Sequence, residues 1–172
     1  MQILIFLLLL MPFFAASQPS SKFSFASLAW GDSVVGVDAK LKGEGFSGCE
    51  ALVMLRLKCK VNETCECLFG GPGIQDGRAQ FSEGQLALVV VTAKSTAATL
   101  EALKGKYGPH LPVALAVRST HSLLEPDPST FRLWKSGEEA LTFSTTTGVV
   151  IYESPAFTRR MRELTAPSTS KF

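Results

Sequence analysis

Imidazole is almost missing from this chain of 172 residues: His110 and His121 are its only histidines. A Ser-His or Cys-His nucleophile therefore has two bases at most to draw on. No Gly-X-Ser-X-Gly turn is present to raise a serine, since Gly45-Phe46-Ser47-Gly48-Cys49 lacks the final glycine. His121 follows an expected strand and lies near Ser119, Thr120 and Ser122, where α/β sites often form, but both histidines read more simply as surface residues. Cysteine is absent outside residues 49–67. Clustered positive charge is absent too: 17 Lys and Arg are scattered among 15 Asp and Glu, for a net charge of +2. That balance gives no basic face for a nucleic acid. After residue 16 no apolar run is long enough to span a bilayer, and the polar residues 166–172 spell no lipid anchor. Internal repeats and long low-complexity tracts are also lacking.

What is present begins with an apolar leader over residues 3–16, with the small residues Ala15, Ala16 and Ser17 standing before Gln18. A spanning helix needs roughly 18–20 apolar residues, and Pro12 interrupts this shorter run. The layout predicts a cleaved signal peptide over residues 1–17. The remainder is expected to be a single secreted α+β domain over 18–165 with a disordered tail, 166–172. A domain of that size can bury roughly two-thirds of its unfolded surface.

The cysteines Cys49, Cys59, Cys65 and Cys67 surround an Asn62-Glu63-Thr64 sequon. On a secretory route this predicts two disulfides. The pairing is either Cys49 with Cys65 and Cys59 with Cys67, or Cys49 with Cys67 and Cys59 with Cys65. If residues 60–64 join two strands, Cys59 faces Cys65 or Cys67 at the Cβ spacing a disulfide needs, roughly 3.5–4.5 Å. Asn62 is then displayed at the loop tip for glycosylation. A Cys65–Cys67 bond would need a strained small ring. Zinc ligands usually pair at separations of roughly two to four residues, unlike the nine- and five-residue gaps here. A redox Cys65-Glu66-Cys67 needs a depressed thiol pKa, and Glu66 supplies the wrong charge for that. No catalytic, cofactor-binding or metal-binding residue is expected.

Val35, Val37, Ala39 and Leu41 alternate with polar residues and predict a strand. Gly31-Asp32-Ser33 would turn it back against an aromatic strand over 23–30. Gly43-Glu44-Gly45-Phe46-Ser47-Gly48 fits GxGxxG, but the next segment, 51–59, alternates like a strand and Glu44 would repel phosphate, so it reads as a loop. Residues 70–84 read as a Gly-rich loop. Beyond it, 86–92 is a buried strand, and Ser95 caps a helix over 96–107 that Gly108-Pro109 ends. Residues 111–117 would complete a parallel βαβ unit.

A hairpin about Ser136-Gly137 joins 131–135 to 140–145, a strand follows at 149–152, and Ser154-Pro155 opens a last helix. That helix is expected to turn Phe157, Met161 and Leu164 to the sheet and Arg159, Arg160 and Arg162 to water. The arginines also resemble a precursor-processing site after Arg162, though a folded helix resists cleavage. The expected class is α+β: a mixed sheet with N-terminal antiparallel hairpins, one βαβ unit and a C-terminal helix.

From residue 86 to 164 this order looks like the core of the thioredoxin fold. Thr130-Phe131-Arg132-Leu133-Trp134-Lys135-Ser136-Gly137-Glu138 resembles the hairpin after that fold's proline. Where the family's Cys-X-X-Cys would open the helix stands Ala93-Lys94-Ser95-Thr96, so the resemblance implies a binding or chaperone-like role. The expected function is that of a secreted, disulfide-stapled glycoprotein binding an extracellular or cell-surface protein, with no cofactor, no nucleic acid and no stable membrane insertion. The alternative is a thiol-dependent or chaperone-like factor of the secretory pathway using Cys65 and Cys67 or the His121 region.

Overall fold

The computed structural model describes residues 21–49, 64–111 and 128–165. Six strands form one sheet: β1 (Thr64–Gly71), β2 (Ile74–Ser82), β3 (Gln85–Ala93), β4 (Phe131–Ser136), β5 (Glu139–Ser144) and β6 (Val149–Glu153). Their spatial order is β1-β2-β3-β6-β5-β4, and every pair is antiparallel. The class is α+β, as expected, with an antiparallel sheet in place of the mixed one among the described residues.

Residues opposite one another in a ladder share a face. One row therefore crosses all six strands: Cys67, Ala79, Val89, Tyr152, Leu141 and Trp134. All six are buried, and this face carries the core. Phe69 lies in the next row, its ring where a Cβ on Gly77 would stand. Glycine at 77 is thus a packing requirement within β2. The opposite face carries Glu66, Gln80, Leu88, Glu153, Ala140 and Lys135 in a second row.

Residues 22–49 cover the core face. Phe23, Leu28, Val37, Leu41 and Cys49 enter the core with Leu103 of helix α2 (Thr96–Tyr107). Phe23 meets Tyr107 edge-on at 5.2 Å, and Phe25 stands 5.3 Å from Phe46 and 5.7 Å from Phe69. The Ser95 cap of α2 forms as expected, accepting from the Ala98 amide, and Gly108 ends the helix.

The strand expected at 35–41 is instead helix α1 (Val34–Gly43), capped by the Ser33 hydroxyl, which accepts from the Gly36 amide. Val37 and Leu41 are spaced i, i+4 as well as by even steps, so the period-two pattern was compatible with one helical face. The turn chemistry at 31–33 serves as its cap. No aromatic strand forms at 23–30; that segment is irregular, and the antiparallel contact made nearby is the Ser33–Gln85 bridge.

Residues 70–84, expected as a loop, contain the end of β1, two tight turns and all of β2. Leu111 bridges antiparallel to Leu133 on the β4 side of the sheet, not beside β3 as a βαβ unit requires. Residues 112–117 lie outside the described set, as do the leader over 1–17, the segment 51–59 with Cys59, Asn62, His121 and the tail 166–172. The thioredoxin resemblance finds no support in this strand order. The hairpin about Ser136-Gly137, the strand at 149–152 and helix α3 (Pro155–Thr165), whose Ser154 cap accepts from the Phe157 amide, form as expected.

Glu139, 9% exposed, holds the covering segment to the sheet. One carboxylate oxygen accepts from the Lys22 amide at 2.8 Å and the Phe23 amide at 3.4 Å, and the other from the Trp30 indole at 3.0 Å. Glu139→Ala leaves these donors without their acceptor and is expected to lower unfolding stability by about 2–4 kcal/mol. Glu139→Gln, which keeps one acceptor oxygen, should cost less. Urea titration of the two variants checks the order.

Candidate functional site

The cysteines are tied into the scaffold. Cys49 and Cys67 form a disulfide with Cα atoms 5.0 Å apart and are 2% and 1% exposed. This selects the second of the two expected pairings for Cys49. Cys65 is also disulfide-bonded, and there is no free cysteine among the described residues. Asp38 on α1 aims the first sulfur: its carboxylate accepts from the Cys49 amide at 2.6 Å and pairs with Lys42 at 3.1 Å. A resting thiolate is therefore not offered by Cys49, Cys65 or Cys67.

Among the described residues, a groove of about 420 Å³ with room for another molecule lies between α3 and the β2–β3 hairpin. The hairpin turns at Glu83-Gly84, where both residues have positive φ, 55° and 77°. Such a two-residue turn matches the twist of the flanking strands. It brings Gln80, Ser82 and Glu83 up as one wall, while Ala156, Arg160 and Leu164 of α3, spaced i, i+4, i+8, form the other. Phe81, Ala87, Phe157 and Met161 line the space between them.

Helix α3 packs against β3 and β5, but its apolar stripe is only partly covered. Phe157 and Met161 are half-buried. Leu164, expected against the sheet, is 69% exposed. The stripe outruns the sheet at this end of the helix. Arg160 spans the groove, donating to the Ser82 hydroxyl at 3.2 Å. Among the described residues no carboxylate pairs with Arg160, whereas Arg159 pairs with Glu138 at 3.3 Å.

Glu153, last in β6 and next to the cap of α3, shares its row with Leu88 and Ala140. Burial pushes its pKa up to about 7, and Lys135 pulls part of the way back. Burial likewise raises the pKa of the Tyr152 hydroxyl, aided by Tyr107.

The other candidates from the sequence do not converge on this groove. His110 packs edge-on to Trp134 at 5.8 Å, on the β4 side. The GxGxxG stretch follows a helix, and Ser47 is pinned there to Gly70 by amide-to-carbonyl and amide-to-hydroxyl bonds of 2.8 and 2.7 Å. Of the arginine run, only Arg160 lines the groove. The hairpin wall is not legible in the sequence, because the glycines of residues 70–84 point to a loop. Among the described residues no three His, Cys, Asp or Glu side chains gather as a metal site, and no helix is long and apolar enough to cross a membrane.

The Glu153 shift sets a pH dependence. Its folded pKa lies above the unfolded value of about 4.3, so the fold favours the protonated form. The stabilisation is complete below the unfolded value and is lost as pH rises through about 7. Glu153→Gln is expected to flatten this loss and to leave the variant more stable than the parent at pH 8 by on the order of 2 kcal/mol. Thermal unfolding of both proteins between pH 4 and 8 checks it.

Compared with known proteins, the chain matches no family model, no curated protein and no solved structure.

Proposed function

We propose that this chain is a secreted, disulfide-stapled glycoprotein that acts by binding another macromolecule, an extracellular or cell-surface protein, without covalent chemistry of its own. The observation that carries the reading is the state of the sulfurs. Cys49 and Cys67 are bonded to each other inside the core, and Cys65 is bonded as well. Thiol exchange needs an accessible thiolate of lowered pKa, and a buried bond set in place by Asp38 has the properties of a staple. The leader and the oxidised cysteines both suit a secretory route. A sheet covered and stapled on one side, with an open groove beside its last helix, suits recognition on a rigid scaffold.

The intact mass of protein secreted from a eukaryotic host, deglycosylated and alkylated under denaturing conditions, tests this reading. Without prior reduction no cysteine is expected to be alkylated, and after reduction all four should be. The expected mass also lacks residues 1–17 and shifts on removal of an Asn62 glycan. Free thiols before reduction would overturn the staple and favour the thiol-dependent alternative.

A further inference from the structure

We infer that the groove between α3 and the β2–β3 hairpin receives a short segment of the partner protein, one that carries large apolar side chains beside a carboxylate. The inference rests on the binding-protein reading and assigns it a site and a partner chemistry. Phe81, Ala87, Phe157 and Met161 give the groove an apolar lining, and Leu164, 69% exposed, extends that surface beyond the sheet. Phe81 and Ala87 are already buried by the fold and form the floor; covering the exposed parts of Phe157, Met161 and Leu164 with a partner's apolar residues is favourable at roughly 25 cal/mol per Å² of area removed from water.

Charge gives the partner's polar chemistry. The Arg160 guanidinium has five N–H donors and spends one on the Ser82 hydroxyl, with no carboxylate partner among the described residues. A carboxylate entering the groove can take a paired N–H face that a neutral hydroxyl does not fill. Gln80 and Ser82 on the opposite wall can meet the backbone of an incoming segment.

The same rim disfavours an anionic bilayer. Glu83 lines the groove, and Glu163 sits on the exposed side of α3. These carboxylates would face lipid phosphates, whereas a peptide can place its single acidic residue at Arg160 and clear of Glu83. The basic amphipathic helices that lie on membranes carry cations across their polar face. Helix α3 sets the carboxylate of Glu163 beside its three arginines and already spends Arg159 on Glu138.

A displayed library of random dodecamers, selected on the full chain, tests the inference. Ala156→Trp fills the groove from an exposed helical position, where the change is compatible with folding, and serves for counter-selection. The expected outcome is enrichment of peptides that combine Leu, Phe or Met with Asp or Glu, binding lost in Ala156→Trp. Arg160→Glu should weaken the acidic peptides by about tenfold or more and shift preference toward Lys-bearing ones. Enriched peptides that ignore both substitutions would overturn the groove while leaving a binding protein in place. No enrichment would overturn the groove, and the thiol state of the protein separately decides the binding reading. Two further results would also overturn it. One is binding of phosphatidylserine vesicles without peptide binding; the other is peptide binding that appears only after removal of residues 166–172, which would name the chain's own tail as the occupant.

Discussion

The structure depends on holding residues 22–49 against one face of a six-stranded sheet. That face is apolar from edge to edge, from Cys67 on β1 to Trp134 on β4, and it needs a cover. The cover is α1 and an irregular aromatic segment, joined to the strands among the described residues by little backbone pairing: a bridge at Ser33–Gln85, flanking bonds of Gly31 and Asp32 to Leu86, and the bonds between Ser47 and Gly70. A segment with so few ladder bonds must be retained by packing and by a small number of strong links. Two such links stand far apart across the sheet. Near β1 the Cys49–Cys67 bond closes an 18-residue separation, and on β5 Glu139 gathers the Lys22 and Phe23 amides with the Trp30 indole. Asp38 connects the first link to α1 by fixing the Cys49 amide.

With one face committed to the core, the other is left for charge and for α3. Its row alternates Glu66, Gln80, Glu153 and Lys135 with Leu88 and Ala140. Polar side chains near the β1 edge form a small network: Gln80 donates to Glu66 at 2.6 Å, and Arg78 lies 3.6 Å from the same carboxylate. The groove arises where this polar surface meets the partly covered stripe of α3. Its position follows from two local facts, a two-residue turn at Glu83-Gly84 and a helix whose apolar residues extend past the strands.

Where residue chemistry carried two agreeing signals, the sequence was readable. Ser95 and Gly108-Pro109 bracket α2, Ser154-Pro155 opens α3, and Ser136-Gly137 turns β4 into β5. Where one pattern served two structures it misled. The series Val35, Val37, Ala39 and Leu41 alternates like a strand, yet Val37 and Leu41 also stand one helical turn apart, and tertiary burial chose the helix. Gly70, Gly71, Gly73 and Gly77 suggested a loop, although Gly77 is there to admit the Phe69 ring. The groove was not legible, because the Arg160–Ser82 contact joins residues 78 positions apart and its second wall belongs to the misread segment. Glu139 likewise gives no signal in the sequence, since nothing local reveals that three distant donors converge on it.

Hydrogen exchange on the oxidised protein and on the Cys49→Ala/Cys67→Ala variant tests the two-link account most directly. A disulfide closing a loop of this length contributes about 3 kcal/mol, so its loss should register as local opening where the link acts. Faster exchange is predicted in α1, in the loop to residue 49 and along β1, with β5, β6 and α3 still protected by their own packing. Equal loss of protection across the whole sheet, or none in α1 and β1, would contradict a cover retained by independent links at its two ends.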